Sequence, residues 1–194
     1  MEMYKNGYCF DVAREEDILG IIGLESKYFS EKIAYKEEDI RRWLNHNRNM
    51  IYVVRDSENR VKAFTIIAPI SFNAYNKFKD GKLTDMDKID LEDIGTSIKS
   101  DYYYFADVVS DDKNPLSSMI IFRNILPILI DNAKYIVTTP VTNEGRNKAR
   151  KLGAININNG DDLSLNEPCY IDVASAEVIA NKMITVIDKA MNRR

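Results

Sequence analysis

A chain of 194 residues with 27 Lys and Arg against 30 Asp and Glu has a formal charge of −3, which argues against a general electrostatic grip on nucleic acid. At 45% hydrophobic and 29% charged residues it has the make-up of one globular domain able to bury a proper core. One histidine and two distant cysteines, Cys9 and Cys169, exclude a zinc site built from Cys and His; two buried free thiols is a plainer reading than a disulfide. Residues 1–11 lack the apolar core of a signal peptide. No run reaches the roughly twenty apolar residues of a membrane span. The expected location is therefore the cytoplasm, with neither a membrane nor nucleic acid as partner.

Residues 8–12 read as a first strand. Arg14-Glu15-Glu16-Asp17 then precedes apolar residues at helical spacing (Ile18, Ile21, Ile22, Tyr28), the pattern of a helix start. Gly20 and Gly23 weaken that helix by about 1 kcal/mol each relative to Ala, so packing must hold it. A second helix opens at Lys36 on Glu37, Glu38 and Asp39 and ends in the polar cluster at 45–49, where His46 suits the helix dipole. Residues 50–55 and 61–67 read as two strands of a hairpin joined by Asp56-Ser57-Glu58-Asn59. Residues 71–100 are the least regular part, and a connection of that length points to a functional loop or an inserted helix.

Residues 101–132 follow: an aromatic and β-branched strand, a loop of turn formers (Asp111, Asp112, Asn114, Pro115) and an apolar helix. Ser117 and Ser118 lie in its first turn, where free backbone N–H groups make a phosphate-binding geometry. Pro127 should kink the helix or shift its register. Residues 135–139 form the next strand. Thr142 and Asn143 cap a helix through Lys151 that Gly153 ends, and 154–158 and 169–173 are weaker strands. A terminal helix over 175–191 presents Ile179, Met183, Val186, Ile187 and Ala190 on one face. Alternation of this kind calls for a central sheet with helices on its faces.

In this order, four features resemble the GNAT superfamily of acyl-CoA-dependent N-acetyltransferases: residues 10–18, the hairpin at 50–67, the strand, loop and helix at 105–130, and the helix and glycine at 142–154. The resemblance covers residues 8 to about 158 of a chain read as a single domain, with 175–191 appended. It implies an α/β fold of the α+β kind, with a mixed, mostly antiparallel sheet splayed between its fourth and fifth strands. Helices lie on both faces, and the extra C-terminal helix packs on the sheet or makes a homodimer contact. It further implies acetyl-CoA or another acyl-CoA as cofactor. The pantetheine arm would pair with the backbone of Val108, Val109 and Ser110. The pyrophosphate would rest on the loop and helix start formed by Lys113, Asn114, Ser117, Ser118 and Met119. Asn143 and Lys148 join the cofactor residues. The acceptor would be an amine, on a small molecule or a protein.

Two departures stand out. Leu116 occupies a position where the family carries glycine, which lets backbone approach phosphate closely, and Pro115 removes a donor. On the late helix, Ala149 stands where family members often carry a general-acid tyrosine, and Ala154 replaces the aromatic after the glycine. They favour, as the alternative, a GNAT-like binding or regulatory module without catalysis. For catalysis itself, Asp107 is the candidate base, since a carboxylate among apolar neighbours suits proton removal near neutral pH; its competing reading is an outward-facing strand residue. Tyr104 is the candidate acid or acceptor-lining residue, against core packing as the competing reading. Asp111 and Asp112 read as turn formers.

Overall fold

The computed structural model describes residues 2–4, 7–30, 34–111, 115–157, 160 and 162–192. In chain order these form β1 (Glu2–Met3), β2 (Cys9–Val12), α1 (Ile18–Tyr28), α2 (Glu37–His46), β3 (Ile51–Arg55), β4 (Val61–Pro69), α3 (Phe72–Lys79), β5 (Tyr102–Ser110), α4 (Pro115–Asn132), β6 (Tyr135–Thr138), α5 (Asn143–Lys151), β7 (Ile155–Asn156), β8 (Cys169–Asp172) and α6 (Val173–Asn192). The strand order is β1-β2-β3-β4-β5-β6-β8-β7. Bonds from Asp111 N to Lys62 O and from Ile70 N to Tyr102 O run β5 antiparallel to β4. Among the described pairings, only that of β5 with β6 is parallel. The mixed, mostly antiparallel sheet expected from the sequence is therefore present. The chain divides into two compact units, Met1–Ile66 with Asp107–Ile125 and Ile67–Ala106 with Leu126–Arg194; β4, β5 and α4 each pass from one to the other.

In the first unit, α1 follows a single 3-10 turn at Glu15–Asp17 whose Asp17 carboxylate accepts the Arg14 N–H at 2.7 Å. The same carboxylate takes a two-pronged grip from Arg55 of β3, Nε at 2.7 Å and Nη2 closer still. Both partners are buried, at 3% and 5% side-chain exposure. Breaking such a pair strands a charge and costs about 3–5 kcal/mol. Gly20 has a physical reason. A Cβ there would lie 2.9 Å from the Val61 side chain of β4, so the helix reaches the strand only without one. Gly23 has no neighbour within 4 Å and no such reason. Asp56 and Asn59, the latter at φ 59°, close the β3–β4 hairpin as the sequence predicts.

In the second unit the irregular stretch contains α3. Ser71 caps it by accepting the Ala74 N–H at 3.0 Å, and Phe72, Tyr75 and Phe78 recur at helical spacing. Asp93 ties the end of the insertion back to α3. Its carboxylate receives Ser71 Oγ, Asn73 Nδ2 and Lys77 Nζ, the last at 2.8 Å. Phe78 stacks on Tyr104 at 4.9 Å, and Tyr75 lies 4.6 Å from Tyr102 and 5.7 Å from Tyr135. Thr142 and Gly153 (φ 79°) bound α5 as predicted. The helix α4 continues through Pro127 without a break in its assignment.

One correction concerns α6. The predicted apolar face holds only in part: Ile187 is buried and Met183 and Ala190 are half-buried, but Ile179 and Val186 are exposed at 37% and 65%, and Val173, Ala176 and Ala180 complete the buried side. The helix begins at Val173, directly after β8, so the end of the strand sets which face turns inward.

Candidate active site

The site is organised by β5. Its parallel pairing with β6 joins Tyr102 to Tyr135, Tyr103 to Ile136 and Tyr104 to Val137, and goes no further among the described residues. Burial changes at the same place. Tyr103 and Tyr104 are 1% and 2% exposed, whereas Phe105, Ala106, Asp107 and Val108 are all half-buried. A packed strand alternates its exposure or is covered on both faces; four successive half-buried residues mean that each face is partly open. Beyond them Val109 is buried and Ser110 half-buried.

On its other edge the strand is fixed. Thr65 Oγ1 donates to the Asp107 carbonyl at 2.6 Å, and Asp111 N donates to the Lys62 carbonyl at 2.9 Å. Among the described residues, the pairing of β5 with β6 does not reach residues 108–110. An extended ligand carrying amides could add to an edge of this kind as one more strand. The pantetheine arm of an acyl-CoA is such a ligand, so the strand fits it.

At the end of β5 the chain turns into α4, an 18-residue helix with Pro115 at its first position. Leu116, the departure from the family glycine, is 3% exposed, its bulk spent in the core. Ser117 is likewise buried at 1%, and Ser118 Oγ donates back to the Pro115 carbonyl at 2.9 Å. Ser118 thus secures the first turn with its own side chain. Backbone N–H groups at a helix start are the groups able to receive a phosphate. Met119 is half-buried; Lys113 and Asn114 lie outside the described residues.

Two residues that the sequence did not single out meet Asp111, the last described residue before α4. Lys27 of α1 places Nζ 3.0 Å from Asp111 Oδ1, and Lys62 of β4 places Nζ 3.9 Å from Asp111 Oδ2. Asp111 is therefore an ion-pair partner. Hydrogen bonds to Tyr28 and then to Asp111 hold the Lys27 ammonium above the usual lysine range. Lys27 and Asp111 are 84 residues apart, and no local pattern links them.

Asp107 shares the first unit with Val108, Val109, Ser110, Ser117, Ser118 and Met119, whereas Tyr104, Asn143 and Lys148 belong to the second. Tyr104 is enclosed, its ring parallel to that of Phe78 within 16°. Asn143 Oδ1 accepts from Arg146 Nη2 at 3.0 Å, and Lys148 pairs with Glu144 at 2.8 Å along the face of α5. Ala149 and Ala154 are both buried.

No protein-family model and no curated sequence matches the chain. Its fold has counterparts among solved structures. The loading GNATL domain of CurA from Lyngbya majuscula aligns with a TM-score of 0.53 at 14% identity, over 69% of this chain and 65% of that domain. A chain of the NatC complex bound to Gag peptide and CoA gives 0.54 at 14%, over 85% of this chain and 98% of its own. The GNAT family N-acetyltransferase YhbS from Escherichia coli, in complex with CoA, gives 0.53 at 13%, over 93% of this chain and 88% of its own. This protein therefore has a GNAT-like fold. No helix among the described residues is long and apolar enough to cross a membrane.

Proposed function

We propose that the protein is an N-acyltransferase that moves an acetyl or other acyl group from CoA to a primary amine. The observation that carries this reading is the end of β5–β6 pairing at Tyr104 and Val137, followed by half-buried residues on both faces of β5. The fold supports it, since similar structures were solved with CoA bound.

The backbone of Val108, Val109 and Ser110 would hold the pantetheine arm. The first turn of α4 at Ser117, Ser118 and Met119, with Lys113 and Asn114 of the preceding loop, would hold the pyrophosphate, and Asn143 and Lys148 are assigned to the same ligand. Acyl-CoA supplies the activated thioester. The chain supplies alignment and a base, with Asp107 taking the ammonium proton so that the neutral amine attacks directly. The proton that neutralises the departing thiolate comes from Tyr104 or from water.

Titration calorimetry with acetyl-CoA, longer acyl-CoAs and free CoA tests the reading, and silence toward all of them overturns it. Asp107→Asn should lower amine acylation about 100-fold while leaving acetyl-CoA binding intact. A second reading, a GNAT-like binding or regulatory module, is favoured by one observation: Ala149, at the family's tyrosine position, is buried and carries no acid. Acetyl-CoA binding without acylation of any amine in a broad panel would select it.

A further inference from the structure

Asp111 directly follows the last residue of β5 and lies four before α4, with a lysine at each carboxylate oxygen. Lys27 comes from α1 and Lys62 from β4, so two separate elements deliver cations to one acidic side chain at the mouth of a long helix. None of the three is locked away: side-chain exposures are 48% for Lys27, 27% for Lys62 and 28% for Asp111. Lys62 also lies 3.7 Å from Asp56, which Arg60 already holds at 2.8 Å. The trio alone carries a charge of +1.

Carboxylate and phosphate oxygens compete for the same ammonium donors, and lysine is a flexible point charge able to move between them. The helix start has less to offer a phosphate than a glycine-rich one, because Pro115 lacks an N–H and residue 116 is leucine. We infer that Lys27 and Lys62 are phosphate-neutralising residues of this protein and that Asp111 is an internal anion holding them in place until the cofactor's phosphates draw them away. The inference rests on the acyl-CoA reading and adds to it a charge exchange at the loop entrance.

The exchange has a signature that a merely structural ion pair lacks, because its members act with opposite signs. Removing a lysine takes away attraction for the phosphates; removing Asp111 takes away their competitor. Calorimetry on the full chain at low salt compares acetyl-CoA with acetyl-pantetheine, which carries no phosphate. Lys27→Gln and Lys62→Gln should each weaken acetyl-CoA about 3- to 10-fold, and Asp111→Asn should tighten it by about 3-fold. All three should leave acetyl-pantetheine unchanged, and the acetyl-CoA effects should shrink in 0.5 M salt. Thermal melts confirm that each variant is folded. Weaker acetyl-CoA binding by Asp111→Asn, unmoved binding by both lysine variants, or equal changes with acetyl-pantetheine overturns the charge exchange alone. If the unaltered protein binds acetyl-CoA not at all, the acyl-CoA reading falls and the exchange with it.

Discussion

Residues 102–104 and 107–110 belong to one strand, β5, yet the structure treats them in opposite ways. Tyr103 and Tyr104 are enclosed, β6 pairs alongside, and Phe78 of α3 stacks on Tyr104. Asp107 and Val108 are half-buried, the pairing with β6 goes no further than Tyr104 among the described residues, and the segment leads to a carboxylate flanked by lysines. The difference in composition, three tyrosines against Asp-Val-Val-Ser, goes with a difference in neighbours. A strand can serve as scaffold where helix and strand cover it, and as a recognition edge where they stop. The residues with chemistry to offer, Asp107 and the backbone after it, fall on the uncovered stretch.

The largest effect should come from undoing the covered stretch. Phe78 is fully buried, and Phe78→Ala removes the ring that closes one face of Tyr104. The expected loss is about 3–5 kcal/mol in urea or thermal unfolding. If the loss is under 1 kcal/mol, α3 is not what makes the first part of β5 a scaffold.

A smaller and pH-dependent effect should come from the polar tie that holds α3. Burial acts to raise the Asp93 carboxyl, but hydrogen bonds from Lys77, Ser71 and Asn73 outweigh it and bring the group below the ordinary carboxylate value. A carboxylate lowered on folding contributes its stability in full above its unfolded value, near 3.8, and loses it as pH falls through the folded value. Asp93→Asn should therefore cost about 1–3 kcal/mol at pH 7, and the gap to the unaltered protein should close below about pH 4. Chemical denaturation across pH measures it; a gap that persists at pH 2.5 would mean that the charge is irrelevant to the tie.

These contrasts also mark what could be read in the sequence. The order of strands and helices was legible because each carries its own period and caps: Ser71 aside, Thr142, Gly153 and the acidic starts of α1 and α2 sit where the structure uses them. The helix α3 was open to reading as a loop because Asp80 and Gly81 cut its pattern short after eight residues. The inward face of α6 was legible only at Met183, Ile187 and Ala190, because its apolar residues span a wide arc and the junction with β8 selects among them. Leu116 illustrates the opposite limit: the departure from glycine is plain in the sequence, but that the side chain is buried depends on the packing around it. The Lys27–Asp111 pair is a tertiary contact with no local signal at all.

The smallest predicted effect bears most directly on the line between the two stretches of β5. Tyr104 is the last residue paired with β6, and it has two competing roles, core ring or proton donor. Tyr104→Phe keeps the stack on Phe78 and removes only the hydroxyl, so folding stability should fall by no more than about 0.5–1.5 kcal/mol. A packing role predicts amine acylation within about 2-fold of the unaltered protein at every pH. A donor role predicts a slower maximal rate at unchanged acetyl-CoA affinity, and loss of the alkaline limb of the pH–rate profile. With the ring 2% exposed and parallel to Phe78, packing is the expected result. The boundary between covered and open strand then falls after Tyr104, and under the proposed acyl transfer water is left to protonate the thiolate.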